Sequence, residues 1–201
     1  MSEFALSSIP RRLQWRNRPL EWDTGDGTRL TITASELTDL FIDPSGSGVT
    51  DNLACAMFAP PDPSFLLSAR VAVDFAATYD AGVLLLMEKD DIWAKLCFEF
   101  SPQKDPTVVS VVTRGVSDDC NSAVIKGREV FLRMAHTPEA TAFHYSLDGR
   151  FWHMVRYFSL GRLSYPKAGL ASQSPTGKKC TSIFTEITYT AGALKDRRNG
   201  E

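Results

Sequence analysis

The stretch WAKLCFEF, residues 93–100, alternates strictly, and one of its two faces carries side chains that could do chemistry. Ala94, Leu96, Phe98 and Phe100 point one way, as a core requires, while Trp93, Lys95, Cys97 and Glu99 point the other. An indole beside an ammonium and a carboxylate is the equipment of a sugar site. The ring stacks on a pyranose face and the charged groups take up hydroxyls. Strand rise puts Lys95 and Glu99 about 13 Å apart, too far to pair, so each needs a partner from an adjacent strand or from water. Arg114, Arg133 and His144 lie on other alternating segments and are expected to join Trp93, Lys95 and Glu99 on one sheet face, with Asp118, Asn121 and Gln173 at its rim. A structural reading competes: Lys95, Glu99 and Arg114 as a cross-strand ion network on a wetted sheet face.

Other constellations are weaker. SDDCNS (117–122) gathers Asp118, Asp119 and Asn121, oxygen donors of the kind calcium takes, but the same composition makes an Asx-rich turn, which is the expectation. His136, His144 and His153 lack the spacing of a zinc site, so no metal and no cofactor is expected. Cys120 sits between Asp119 and Asn121, and a neighbouring carboxylate disfavours a thiolate nucleophile. SQSPTGKKC (172–180) has Gly177-Lys178-Lys179 without the rest of a phosphate-loop frame.

The elements that must position these residues are strands. RLTITA, DLFI, LACAMF, LLSARVAVDF, GVLLLM and WAKLCFEF run at period two through residues 29–100. TVVSVVTR, EVFLRMAH, TAFHYS, FWHMVRYF, KAGLAS and TSIFTEITYT continue the series to residue 190, with Gly, Pro and Asp turn signals between them. Asp148-Gly149 suits a two-residue hairpin loop that would bring Tyr145 and Trp152 together. The pattern predicts one all-β domain over residues 1–190, a two-sheet antiparallel sandwich, with residues 1–25 wrapping it and 191–201 a polar, disorder-prone tail. At 201 residues, 43% apolar and 23% charged, such a domain needs no staples. A net charge of −2 argues against nucleic-acid or membrane partners. Four scattered cysteines and a start without an apolar signal region point to a cytoplasmic protein with reduced thiols.

The block YDAGVLLLMEKDDIWAKLCFEF, followed by VVSVVTRGVSDDCNS, resembles a family of uncharacterised proteins known through a yeast member as regulation-of-enolase proteins. The matching features are Ala81-Gly82, the Trp93/Lys95/Glu99 strand, the run Val112-Thr113-Arg114-Gly115-Val116-Ser117-Asp118, and the downstream YSLDGRFW and AGLASQSP. The chain departs from the family at Asp119-Cys120-Asn121, where many members place a Trp. The resemblance implies a concanavalin A-like lectin/glucanase jelly-roll sandwich with one concave sheet, and no established reaction. Catalytic relatives within that fold carry Glu-x-Asp-x-Glu, which EKDDI (88–92) does not complete.

The expectation is therefore non-catalytic binding of a carbohydrate or similar polar metabolite on the concave face, with Trp93 as the platform. The alternatives are a regulatory module that docks on a metabolic enzyme and a glycoside hydrolase. The hydrolase would have to use Glu99 with Asp118 as its carboxylate pair.

Overall fold

The computed structural model describes residues 3–201, and the described residues contain seventeen strands and no helix, numbered here in chain order. Eight strands form one sheet in the order β1 (Glu3–Phe4), β2 (Leu13–Arg16), β7 (Ala54–Phe58), β16 (Lys167–Gln173), β9 (Ala81–Lys89), β10 (Ile92–Phe100), β11 (Pro106–Arg114) and β12 (Val116–Val124). Seven form the other: β15 (His153–Phe158), β14 (Thr141–Ser146), β13 (Glu129–His136), β8 (Phe65–Val73), β17 (Lys179–Ala191), β4 (Leu30–Ser35) and β3 (Glu21–Asp23). Neighbours within each sheet are antiparallel. The fold is the expected all-β sandwich.

The core lies between the sheets. Leu84, Leu86, Ala94, Leu96, Phe98 and Leu170 from one sheet meet Leu67, Val71, Leu132, Met134, Phe143 and Phe184 from the other. Residues 3–23 contribute edge strands to both sheets, and Phe4, Trp15 and Trp22 pack together where those edges meet.

A second apolar cluster sits on the outer face of the eight-stranded sheet, where Cys55, Met57, Val83, Leu85, Met87, Trp93, Cys97, Val109 and Val111 meet Leu40 and Leu53. A small hairpin, β5 (Leu40–Ile42) with β6 (Val49–Asp51), covers it as a cap. DLFI thus forms a strand outside both large sheets, because it covers the face to which the others contribute.

Three local expectations are corrected. SDDCNS is not an Asx-rich turn: Gly115, at φ +81°, reverses the chain, and residues 116–124 return as β12 against β11. The 147–152 connection is longer than a two-residue loop, since Asp148 Oδ1 accepts the N–H groups of Arg150 and Phe151 at 2.8 and 2.9 Å. Tyr145 consequently lies opposite His153 rather than Trp152, and the two rings stack at 4.8 Å.

Gly169 marks the tightest approach of backbones inside the capped sheet. A Cβ there would lie 2.6 Å from the Ala56 carbonyl oxygen and 2.7 Å from Cys55 Sγ, and the carbonyl belongs to the paired strand and cannot yield. Gly169→Ala is expected to lower stability by about 1–3 kcal/mol, read as the shift in the urea unfolding midpoint.

Candidate functional site

Register decides which predicted residues share a face. Trp93, Lys95, Cys97 and Glu99 stand opposite Thr113, Val111, Val109 and Thr107 on one side and Met87, Leu85, Val83 and Ala81 on the other. All of these look outward from the eight-stranded sheet, and Gln173 joins them opposite Ala81. Asn121 and Asp119 extend the row on β12, opposite Val109 and Val111.

Three predicted members do not belong to this row. Arg114 pairs with Ile92, shares the side of Val112 and Ala94, and at its exposed strand end donates to the Ser159 carbonyl at 3.4 Å. Arg133 and His144 are directly paired on β13 and β14, on the outer face of the other sheet, across the whole thickness of the sandwich. Asp118 sits opposite Val112, facing away from Asn121, where its carboxylate pairs with Arg156 at 2.9 Å. Alternation assigns each side chain a face of its own strand; it does not say which sheet the strand enters.

The row itself is roofed. Trp93 is fully buried and its indole N–H donates to the Asp90 carbonyl at 3.1 Å, so it is not the platform for a sugar ring. Lys95, 2% exposed, donates to Asp39 Oδ1 of the cap at 2.7 Å and to Gln173 Oε1 at 3.1 Å. Gln173 in turn donates to the Tyr79 carbonyl. Burial alone would favour the neutral amine. Asp39, with Cys97 and Glu99 adding to it, outweighs that cost and holds the Lys95 pKa above the ordinary lysine value. Asp39, which the sequence does not single out, is therefore the partner that Lys95 required.

Glu99 is in the opposite situation. It is 8% exposed, and burial pushes its pKa up to about 8; Lys95 opposes the shift, while Asp119 and Asp39 add to it. Burial likewise raises the Asp119 carboxyl. At neutral pH Glu99 is largely the neutral acid. The folded state then binds a proton that the unfolded chain releases near pH 4.5, so stability falls as pH rises from about 4.5 towards 8. The slope approaches about 1.4 kcal/mol per pH unit for one such group. Glu99→Gln is expected to abolish this loss, so that wild type and variant diverge in urea midpoint from pH 5 to pH 8, with the variant the more stable at the upper end.

Beside the cap the same face opens into a cleft of about 620 Å³. Met57 and Met87 form its base, with Gln14, Arg16 and Lys167 from outward-facing positions and Arg11, Glu88 and Asp90 around them. Arg16 is held by Asp51 at 2.5 Å and Asp90 at 3.2 Å. The Glu88 carboxylate accepts the N–H groups of Ser164 and Tyr165 at 3.0–3.2 Å. One buried donor at the cleft has no partner, Arg16 Nη1. Sequence reading missed this cleft. Its residues come from β2, β7, β9 and β16, and only the outward alternation of Met57 and Met87 within apolar runs hinted at it.

Among the described residues no group of His, Cys, Asp and Glu is arranged to hold a metal, and the four cysteines are free thiols, with Cys120 exposed. Among the described residues no helix is long and apolar enough to cross a membrane.

A family model described as "Protein of unknown function (DUF1349)" matches residues 15–192. No curated protein sequence matches the chain. Among solved structures, a functionally unknown protein from Saccharomyces cerevisiae is similar at 22% identity and a TM-score of 0.82, over 95% of this chain and 100% of that one. The GH43 protein BlXynB from Bacillus licheniformis aligns at 14% identity and a TM-score of 0.71, over 90% of this chain but 37% of its own length. An alginate lyase from Klebsiella pneumoniae aligns at 12% identity and a TM-score of 0.57, over 95% of this chain and 94% of that one. At these identities the likeness is one of fold.

Proposed function

The chain belongs to the family described as Protein of unknown function (DUF1349), and from that membership and the open cleft we propose that it binds a carbohydrate, or a similarly polar metabolite, without turning it over. The site is the cleft beside the cap, on the outer face of the eight-stranded sheet. The observation that carries this reading is the buried, unpartnered donor at the cleft, Arg16 Nη1. A buried donor without an acceptor is costly, and a ligand hydroxyl would relieve that cost. The methionine base offers an adaptable apolar floor, Lys167 and Gln14 supply further donors, and the volume lies within the range of small-molecule sites.

The same geometry speaks for binding over hydrolysis. The carboxylates at the cleft, Glu88 and Asp90, are engaged by backbone N–H groups and by Arg16. Glu99, the one with the acid-like pKa, lies away from the cleft beside the capped Lys95. The fold neighbours that act on polysaccharides make glycans the first ligands to try, and the enolase-regulatory reading rests on the resemblance alone.

Calorimetric titration with neutral xylo-oligosaccharides and with alginate oligomers, chosen after a glycan-array screen, tests the proposal. Saturable binding should weaken at least tenfold in Gln14→Ala/Lys167→Ala while Glu99→Gln leaves it intact. Binding that ignores the cleft substitutions, or no glycan bound at all, would remove this reading.

A further inference from the structure

The outer face of the seven-stranded sheet carries a buried cation without an anion. Arg133 is 7% exposed, and no carboxylate among the described residues acts on it: burial is the one influence that lowers its pKa, to about 10. Its guanidinium lies 4.0 Å from the centre of the Trp152 ring. Its directly paired neighbour His144 is fully buried, with a pKa that burial pushes down to about 4, so the imidazole is neutral.

Both side chains are contacted by the 196–201 segment, which folds back over this face. Residues 196–201 form a closed loop: the Asp196 N–H donates to the Glu201 main-chain oxygen, the Gly200 N–H donates to the Asp196 carbonyl, and Asp196 Oδ1 accepts the Arg198 N–H. Two backbone carbonyls of this loop reach the sheet. That of Gly200 accepts from Arg133 Nη2 at 2.8 Å, and that of Arg197 accepts from His144 Nε2 at 2.7 Å.

The cover fits imperfectly. Nε and Nη2 of a guanidinium present two parallel N–H groups, the edge that a carboxylate fills with its two oxygens. Here a single carbonyl takes Nη2, and Arg133 Nε is buried without a partner, as is His144 Nδ1. A carboxylate would satisfy both donors of that edge and neutralise the buried charge, which one neutral carbonyl does not do. A cavity of about 470 Å³ opens alongside, between this loop and residues 150–154, with Trp152 and Gly200 in its lining.

We infer that the Nε/Nη2 edge of Arg133, backed by Trp152, is a binding site for the carboxylate of a small ligand, and that the 196–201 loop is a displaceable cover whose Gly200 carbonyl stands in for it. This site is independent of the cleft, which lies on the opposite face of the sandwich.

Gly200 supplies the means to test it in the full-length chain. A Cβ at that position would collide with Arg133 and lie 2.8 Å from Trp152 Cβ, so Gly200→Val wedges the cover open. Asp196→Ala, which removes the acceptor for the Arg198 N–H, loosens the same loop without touching Arg133. Opening is followed by the Trp152 indole resonance. Titrations with glucuronate, with a short peptide ending in a free carboxylate and with inorganic phosphate then identify the ligand. Carboxylate binding at least tenfold tighter in an opened variant than in the unaltered chain, lost again when Arg133→Gln is added and unchanged by Lys167→Ala, is the expected result. Glucuronate or the peptide, whichever binds, names the source. Absence of carboxylate binding in both opened variants, binding that survives Arg133→Gln, or binding of phosphate alone overturns the inference.

Discussion

A strand that is apolar on both faces must be covered on both, and β7 and β9 of the eight-stranded sheet are such strands. The sandwich partner covers one side of β9 and β10, and the 37–53 segment has to cover the other. That cover is fastened at several points of different chemistry. Thr38 exchanges hydrogen bonds with Ser174, the Ile42 N–H donates to Ser117 Oγ, Asp51 pairs with Arg16, and Asp39 pairs with Lys95 beneath. The last contact is the one with most at stake. A lysine buried under hydrocarbon is tolerable with a carboxylate on it, and removing one partner of a buried pair costs about 3–5 kcal/mol. The Asp39–Lys95 pair therefore fixes where the cap sits, and the cap fixes what remains of the outer face.

What remains is divided. Under the cap the face is a second core, with Trp93 and Cys97 packed among aliphatic side chains and Glu99 driven towards its neutral form. Beside the cap, the ends of β2, β7, β9 and β16 leave a cleft whose donors are not all used. The opposite sheet has a comparable arrangement on a smaller scale, with a polar loop lying over a buried arginine and histidine. In both places a segment from outside the main strands satisfies part of a polar group's requirement and leaves the rest open. Such partial satisfaction is expensive in a stable fold, and it concentrates where ligands are exchanged.

How far the site was readable depended on the residue. Lys95 and Glu99 were identifiable as needing partners because their spacing forbade pairing with each other. The partner of Lys95 could not be found, because Asp39 reaches it through a separate hairpin with no pattern linking the two stretches. Trp93 is buried and not a surface platform, and the neighbouring run AGVLLLM, apolar at every position from 81 to 87, already implies cover on both sides. Arg133 and His144, expected on the face of Trp93, Lys95 and Glu99, pair instead on the outer face of the other sheet. SDDCNS, rich in turn-forming residues, became an edge strand because Gly115 closes a tight hairpin and the long β11 offers a ladder that outweighs local preference.

The amino-acid sequence by itself determined the strands, the all-β sandwich and the face each side chain takes within its own strand, since period-two alternation is a local property of the extended backbone. It also determined the family. Tertiary structure alone decided which strands became neighbours, that a hairpin would roof one sheet, and that the charged groups would be split between the two outer faces. Those outcomes depend on contacts between residues tens of positions apart, and the free energy that selects among them comes from burying one segment against another, which alternation within a strand does not encode.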